Sequence, residues 1–338
     1  MKTLVSLLLR FVSLPLVWLT FFVSPSVAQV YTVTDLGTFP GGTFSFAAGI
    51  NSFGQVAGSG DIDSEHGHAF LWTRTGGIQD LGTLPGGQSF AASINDLGHV
   101  TGGSFLNEAF TAAFLWTPKA GMKAIVNVGE GIGGLSINDF DHVVGSATLE
   151  PEAFLWTPSR GDLDLNTILG GFGSVANGID DFGRVVGYYE DETGLILTAY
   201  LWRQNLGIEI LCEGQASAIN LVGNVVGTNA AGHAFLWTKT SGMQDLGALP
   251  GDQESSAAAI NIFSHVVGTS ASNTGSRAFV WIPGRGMRDL NKLIPADSGW
   301  TLLSAVGINL SGQIVGNGEI NGQSHAFLLT TTDANSAR

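Results

Sequence analysis

The clearest pattern in this chain is a four-residue apolar run that recurs seven times, beginning with Ala69-Phe70-Leu71-Trp72. Successive side chains of a β-strand point to opposite faces of its sheet, so phenylalanine and tryptophan share one face while alanine and leucine share the other. Because both faces are apolar, the run predicts a strand in a sheet that is covered on both sides. The other copies begin at Ala113, Ala153, Ala199, Ala234, Ala278 and Ala326.

A second phrase recurs with the same period. It consists of Ile-Asn (Ile-Asp once), two or three residues, a glycine or a stand-in, and an ending similar to Val-Val-Gly. Its isoleucines are separated by 44, 43, 42, 40, 41 and 48 residues. A period of this length, built only from strand-like segments, is typical of radial or stacked β-repeats. The isoleucines are Ile50, Ile94, Ile137, Ile179, Ile219, Ile260 and Ile308.

Each unit divides into four predicted strands, which in the first unit cover residues 45–50, 55–59, 68–73 and 78–84. β-Branched and aromatic runs between Gly, Asn and Pro are strand and hairpin signals. The asparagine at the first turn can bond its own backbone two residues on, and the glycine that follows supplies a positive φ. The first strands are rich in Ala, Ser and Gly, which suits the crowded axis of a propeller.

The two ends of the chain complement each other. The last unit stops after Leu329 without a fourth strand, whereas residues 33–42 match the fourth strands of other units. In a closed ring, strand 33–38 would pair with strand 326–330. A linear solenoid would instead need capping units and would expose sheet edges, which closure removes. The sequence therefore predicts an all-β, seven-bladed β-propeller with four strands per blade, a single domain over residues 29–330, and a flexible tail at 331–338.

The first 28 residues have the pattern of a secretory signal peptide. Lys2 and Arg10 precede or flank an apolar stretch at 11–23, and Ser26-Val27-Ala28 places small residues at −3 and −1 of a cleavage site. An uncleaved membrane anchor is the alternative, for which the stretch is rather short. We expect a secreted, extracellular or periplasmic protein without stable membrane insertion after cleavage.

Charge and cysteine content narrow the classes of partner. Removing Lys2 and Arg10 from 14 basic residues leaves 12 against 28 acidic ones, a net charge near −16. Such a surface repels nucleic acid and suits cations or neutral ligands such as sugars. Cys212 is the only cysteine, so no intramolecular disulfide can form, and we interpret it as a small buried hydrophobic residue. A monomer is expected.

The repeats resemble the HAF-type extracellular repeat family, which is named for a His-Ala-Phe tripeptide. Phrases such as Met-Gln-Asp-Leu-Gly (243–247) and Leu-Pro-Gly-Gly (84–87) also match, and the resemblance covers essentially the whole mature chain. It implies a secreted or surface-associated bacterial protein of poorly defined activity, with no catalytic residue to carry over. The tripeptide begins at His68, His233 and His325. We expect these histidines to form structural hydrogen bonds to loop carbonyls.

Loops between second and third strands, and linkers between units, are expected on one face, the loop-rich face. These loops vary greatly between units, and variable loops on a rigid scaffold are where binding usually occurs. The cluster Tyr188, Tyr189, Glu190, Asp191 and Glu192 combines paired aromatics with carboxylates, as sugar-binding surfaces do. It is therefore a candidate ligand-binding site, although strand ends have the same composition.

A candidate calcium site lies in the first unit, at Asp61, Asp63 and Glu65, because oxygen ligands at alternate positions begin calcium loops. The rest of an EF-hand is absent. A solvated acidic loop, or a transition-metal site using His66 and His68, are the alternatives. No other cofactor is predicted.

The function predicted from these patterns is a secreted, non-catalytic binding or scaffold module. It would recognise a glycan, a cell-surface component or a protein through the loop-rich face. The alternative is an extracellular carbohydrate-active hydrolase or lyase that uses acidic residues at the channel mouth. The chain has no nucleophile elbow, zincin helix or phosphate loop, and the pair Asp162 and Asp164 is expected in a fourth strand. A channel lined by Ala, Ser and Gly would argue against catalysis.

Overall fold

The computed structural model describes residues 31–107, 111–129, 133–147, 152–170 and 173–332. These residues form 27 β-strands, one short α-helix and one 3-10 helix, so the predicted all-β class is confirmed. The predicted signal peptide lies outside the described residues, as does the predicted tail except for residues 331 and 332. No helix in the described part is long and apolar enough to cross a membrane.

The strands follow one another along the chain as antiparallel neighbours. The helix α1 is Asn166–Leu169 and the 3-10 helix is Leu290–Lys292. The strands are β1 Tyr31–Asp35, β2 Ser45–Ile50, β3 Val56–Asp61, β4 Gly67–Thr73, β5 Gly77–Asp80, β6 Ser89–Ile94, β7 Val100–Phe105, β8 Thr111–Thr117, β9 Gly121–Gly129, β10 Gly133–Ile137, β11 Val143–Ala147, β12 Glu152–Thr157, β13 Gly161–Asp164, β14 Ser174–Ile179, β15 Val185–Glu190, β16 Leu197–Arg203, β17 Gly207–Ile219, β18 Val225–Asn229, β19 Ala234–Thr238, β20 Gly242–Gly247, β21 Glu254–Ile260, β22 Val266–Ser272, β23 Gly275–Ile282, β24 Gly286–Asp289, β25 Trp300–Ile308, β26 Ile314–Ile320 and β27 Gln323–Thr331.

Five of the sheets contain four strands, as predicted. They are β2-β3-β4-β5 (unit one), β6-β7-β8-β9 (unit two), β10-β11-β12-β13 (unit three), β21-β22-β23-β24 (unit six) and β1-β27-β26-β25 (unit seven). The predicted pairing of the two chain ends is confirmed. The strand β1 pairs antiparallel with β27, from Tyr31 opposite Thr331 to Asp35 opposite Phe327.

Units four and five depart from the prediction of separate four-stranded sheets. They form one seven-stranded sheet, β14 to β20, because β17 is continuous. Residues 207–213 of β17 pair with β16, and residues 214–219 pair with β18. This junction has no proline, which is also true of the junction between units two and three. Gly214, with φ of 128°, makes the change of partner within a single strand.

The apolar faces of the third strands pack between units, as the two-sided pattern predicts. Ala69 and Leu71 of unit one cluster with Phe114 and Trp116 of unit two, and all four are buried. The same arrangement of alanine and leucine against the next unit's aromatic pair recurs at the next four junctions. Between units six and seven, Ala278 and Val280 pack with Phe327 and Leu329 instead. The arrangement of alanine and leucine against an aromatic pair also links unit seven to unit one, where Ala326 and Leu328 share a cluster with unit one's Phe70 and Trp72.

The glycine of the Val-Val-Gly ending has a packing cause. In each first strand the register is irregular between the residues that lie three and one before its isoleucine, as at Ala47/Gly49 in unit one. A β-bulge of this kind bends the strand toward its partner. A Cβ added to Gly58 would lie 2.3 Å from the Phe46 carbonyl oxygen and 2.4 Å from the Phe70 ring. Only glycine leaves room for both the bulge and the ring.

The predicted partner of the His-Ala-Phe histidines is wrong. The Nδ1 atoms of His68, His233 and His325 lie 2.9, 3.0 and 2.9 Å from aspartate carboxylates of the adjacent fourth strand, not beside loop carbonyls. The aspartates are those of the Asp-Leu-Gly phrases: Asp80, Asp245 and Asp35. Each aspartate lies opposite the phenylalanine two residues after the histidine, so the histidine reaches it diagonally across the two strands.

Candidate functional site

The turns that join first to second strands, and third to fourth strands, lie on one face of the sheets, which we call the turn face. The first-to-second turns surround a cavity of about 260 Å³, which we call the mouth, and we call the second cavity that adjoins it the channel. Each contributes three residues: its isoleucine, the asparagine or aspartate after it, and the next residue. The seven repeats therefore converge at this mouth.

A ring of asparagine side chains holds the turns in place. The Oδ1 atom of Asn51 accepts hydrogen bonds from the backbone N–H groups of Phe53 and Gln55 in its own turn. Its Nδ2 atom donates to the backbone oxygen of Asn95 in the next unit, at 3.1 Å. The same inter-unit bond is donated by Asn95, Asn138, Asn220, Asn261 and Asn309, the last of them to Asn51.

Unit four lacks the ring asparagine, and an aspartate–arginine pair links it to unit five instead. Asp180 replaces the asparagine and has no amide N–H to donate. Arg184 bonds Asp180 through Nε at 2.6 Å and donates through Nη2 to the backbone oxygen of Leu221 at 2.9 Å. Since the Asp180 side chain is 2% exposed, the pair is a nearly buried ion pair that links units four and five.

Large apolar side chains project into solvent from six of the seven equivalent turn tips, two residues after the ring position. Phe53 and Phe182 are 76% and 74% exposed. The seventh tip is Ser311, so folding does not require an apolar residue there. Their recurrence at equivalent positions distinguishes them from hydrophobic residues scattered singly over a surface. The six are Phe53, Leu97, Phe140, Phe182, Val222 and Phe263.

The residue directly after each ring position lines the mouth, and its chemistry divides the mouth into two sides. Units two, three and four place aspartates there, whereas units five, six and seven place Leu221, Ile262 and Leu310. These three apolar side chains are 42%, 38% and 47% exposed. The acidic residues are Asp96, Asp139 and Asp181.

Each of the three aspartates forms one hydrogen bond to the backbone of the preceding unit. The Oδ1 atoms of Asp96, Asp139 and Asp181 accept the backbone N–H of the equivalent residue in the preceding unit, at 2.8, 2.8 and 3.0 Å. Burial raises the pKa of the Asp139 carboxyl, and the charges of Asp181 and Asp96 raise it further. The acidic side therefore concentrates negative charge at the mouth.

Below the mouth, the channel wall is mostly small residues. It is lined by first-strand positions such as Ala48, Gly49, Ala92 and Ser93, in agreement with the prediction that small side chains occupy the axis. Within the described wall no aspartate or glutamate appears.

The structure places the predicted ligand cluster at the edge of unit four. Tyr188, Tyr189 and Glu190 end β15 and are half-buried, and burial followed by the Glu190 charge raises the pKa of Tyr188. Asp191 caps the following loop by accepting hydrogen bonds from the backbone of Ile196 and Leu195, which lowers its pKa. Glu192 is exposed.

A cleft of about 400 Å³ lies beside that loop rather than on the predicted cluster. Its lining includes Leu195 and Ile196 from unit four and Glu213, Gly214 and Asn229 from the junction with unit five. None of the five predicted ligand residues lines it. The prediction that they bind a ligand stays a prediction.

The predicted calcium residues are turned toward protein donors. Burial alone would raise the pKa of Asp61, but hydrogen bonds from the Phe44 and Thr43 backbones and the Thr43 hydroxyl outweigh it and lower the pKa. Asp63 accepts the backbone N–H of Glu65 and lies 2.9 Å from His66 Nδ1. Glu65 is exposed. Across the described residues, no three His, Cys, Asp or Glu side chains converge to hold a metal.

The turn face was missed at the sequence level, although its signal is in the repeat. The residue two after the ring position reads Phe, Leu, Phe, Phe, Val, Phe and Ser through the seven units. A turn tip ordinarily carries polar residues, so apolar residues at the same tip in six units indicate a role outside folding.

No protein-family model and no curated protein matches the chain. Solved structures do. Virginiamycin B lyase from Staphylococcus aureus matches with a TM-score of 0.58 and 9% identity, over 89% of this chain and 99% of that one. YCF48 bound to D1 peptide matches with a TM-score of 0.51 and 10% identity, over 92% and 100%. At such identity the likeness shows the fold alone, which is propeller-like.

TolB from Acinetobacter baumannii also matches, at 13% identity and a TM-score of 0.46. The aligned part covers 75% of this chain and 64% of the TolB chain, so this chain spans less than two thirds of that protein. The likeness is too weak to bear on function.

Proposed function

We propose that this protein is a secreted, non-catalytic binding scaffold, a closed seven-bladed propeller of the HAF-type repeat group, that holds a partner protein on its turn face. The observation that carries the proposal is the set of six exposed apolar turn tips. Their exposure costs solubility and adds nothing to the core, since Ser311 serves equally in unit seven. Binding of a partner at this surface would explain why these side chains are apolar and exposed.

Apolar tips around a cavity also suit a protein better than a glycan. Sugars are bound by flat aromatic faces together with dense polar donors and acceptors. Here the tips are separated and aliphatic residues share the ring with phenylalanines. Protein interfaces instead combine an apolar centre with a polar rim. On this face the rim is supplied by third-to-fourth turns with basic residues: Arg74, Lys119, Arg160, Arg203, Lys239 and Arg285.

The test uses peptides selected from a phage-displayed random library on the immobilised protein. Phe53→Ser, Phe140→Ser, Phe182→Ser and Phe263→Ser combined should reduce binding of the selected peptides at least about tenfold, a loss of about 1.4 kcal/mol. Serine is the residue that unit seven already uses, so the turns should fold.

The matched control removes exposed apolar groups from the loop-rich face instead, with Leu195→Ser and Ile196→Ser. It should bind the selected peptides as the wild type does. If this control loses binding while the tip variant keeps it, the partner surface is the loop-rich face and the proposal is wrong.

A carbohydrate-active hydrolase remains a second candidate, because Asp139 has a raised pKa beside Asp96 and Asp181 at the mouth. A general acid needs such a pKa. Against this role, each carboxylate already accepts a backbone N–H. We expect no reducing ends to be released from a polysaccharide panel; release that disappears in Asp139→Asn would favour the enzyme.

Closure of the ring is supported by the pairing of β1 with β27 and by the core shared between units seven and one. Thr32 lies directly opposite Thr330. We expect Thr32→Cys/Thr330→Cys to form a disulfide that stabilises the fold by about 2–4 kcal/mol, because it closes a very long loop. Melting with and without reductant, and non-reducing gel mobility, measure it.

The control for this crosslink is Thr32→Cys/Thr301→Cys, which places the second cysteine at the far edge of the same sheet and should not oxidise. Cys212 should not compete. Burial and the charge of Glu213 raise its pKa to about 11, so it stays protonated at neutral pH. If the two thiols introduced by Thr32→Cys/Thr330→Cys stayed reduced under oxidising conditions, closure of the ring would be contradicted.

A further inference from the structure

Inside the ring of apolar tips, the mouth is lined by two chemically different groups of residues. Around the ring, the mouth-lining position reads Ser52 and three aspartates on one side, and three aliphatic residues on the other. The equivalent backbone positions bring these opposite chemistries to a single cavity of about 260 Å³. A ligand that fills it must satisfy both sides.

On the acidic side, each aspartate offers one unoccupied oxygen. The Oδ1 atoms of Asp96, Asp139 and Asp181 are bonded to backbone N–H groups. No described residue donates a hydrogen bond to their Oδ2 atoms, and no described lysine or arginine forms an ion pair with them. A charge of this density in a partly enclosed site attracts a cation.

On the aliphatic side, the fold leaves backbone donors open. The N–H groups of Leu221, Ile262 and Leu310 have no aspartate at the next unit's mouth position, and no described residue accepts a hydrogen bond from them. Their side chains are partly exposed beside these donors. This side therefore suits an apolar side chain together with a carbonyl oxygen, as a peptide supplies.

We propose that the mouth receives one lysine or arginine side chain of a partner polypeptide against Asp96, Asp139 and Asp181, while a neighbouring apolar residue of the same segment packs on Leu221, Ile262 and Leu310. This rests on the proposed function and names the partner's chemistry. The segment carries a single basic residue at its centre, since the rim of the face is itself basic and repels a strongly basic partner.

Charge complementarity also separates this occupant from a lipid surface. An anionic bilayer would meet the three aspartates at the centre of the face, which is unfavourable. A neutral bilayer would leave them desolvated without a partner. A protruding loop or terminus can instead place one cation at the centre and keep the rim solvated.

The experiment compares the wild type with Asp96→Asn/Asp139→Asn/Asp181→Asn. Asparagine keeps the Oδ1 acceptor for the backbone N–H, so the turns should stay folded, which circular dichroism melting checks. Peptides selected from the random phage library on wild type should contain Lys or Arg beside Leu, Ile or Phe. They should bind the triple variant at least about tenfold more weakly. Replacing the basic residue of a selected peptide by norleucine should cause the same loss.

The matched control is Glu152→Gln/Glu254→Gln/Glu319→Gln, which makes an equal change of net charge at exposed positions away from the mouth. It should bind like the wild type, which separates a local contact from general attraction. Added salt should weaken wild-type binding and have little effect on the triple asparagine variant.

Three results would overturn the inference. They are selected peptides without a basic residue, equal binding by the triple asparagine variant, or cosedimentation with phosphatidylglycerol vesicles that depends on the phenylalanine tips. If peptides bind independently of the three aspartates but still require the tips, the inference fails and the proposed function stands. If the wild type selects no peptide, both fail.

Discussion

Replacing Arg184 with glutamine is expected to lower the free energy of unfolding by about 3 kcal/mol. The Asp180 side chain is 2% exposed, and the arginine is its charged partner as well as the link to the Leu221 carbonyl. Glutamine removes the positive charge, so the buried carboxylate keeps only the backbone N–H donors of Phe182 and of residue 184. Urea denaturation followed by circular dichroism measures the change.

A second substitution should restore the stability that Arg184→Gln removes. Units one and seven use asparagine with a glutamine four residues later, where Asn51 Nδ2 donates to Gln55 Oε1 at 2.7 Å and Asn309 Nδ2 donates to Gln313 Oε1 at 2.8 Å. Asp180→Asn/Arg184→Gln recreates that pattern and should recover stability to within about 1 kcal/mol of the wild type. Were the double variant as unstable as the single one, the ring interpretation of unit four would be wrong.

An exposed ion pair is the natural control. Lys239 is 73% exposed and bonds Glu209 at 2.7 Å. Because solvent screens such a pair, Lys239→Gln should change stability by no more than about 1 kcal/mol. A loss equal to that of Arg184→Gln would mean that burial is not the cause.

Replacing Gly227 with alanine is expected to cost about 3 kcal/mol or more. The new Cβ would lie 1.9 Å from the backbone oxygen of Gln215 and 2.9 Å from the Cα of Ala216. These are backbone atoms of the bulged first strand, so no side-chain rotation can relieve the contact. Thermal and urea unfolding would both report it.

Gly49→Ala is the matched control, since it also adds one methyl to a strand glycine. Its nearest neighbour would lie 3.6 Å away, at ordinary contact distance. Alanine there restricts the unfolded chain, so the variant should be neutral or more stable by up to about 1 kcal/mol. If Gly227→Ala proved as mild as Gly49→Ala, the bulge would not be the reason for the recurring glycine.

Most of the fold could be read from the repeat because each signal is local. The apolar run at 69–72 requires two covered faces whatever lies against them, and the structure buries all four side chains. The repeat also allows another residue in place of the turn glycine, and the structure shows what that residue must do. Asp141 and Ser264 adopt φ of 60° and 61°, in the same left-handed region as Gly54.

Side-chain contacts between neighbouring strands of one unit could not be read in the same way. The histidine at position 68 was expected to bond a loop carbonyl, but its partner is Asp80, twelve residues later. The spacing recurs at His233 and Asp245, and as an arginine pair at Arg277 and Asp289. This internal covariation was available in the sequence. It becomes meaningful only once third and fourth strands are known to be adjacent.

In the candidate site, too, some features follow from the sequence and others only from the tertiary structure. By itself the sequence determined the repeat, the strand pattern and the small residues of the axis, because these depend on side-chain size and on alternation within one unit. Only the tertiary structure decided which side chains share the channel mouth. Ser52, Asp139 and Leu310 are far apart along the chain, and a cavity lined by all seven units exists only when the units are assembled around one axis.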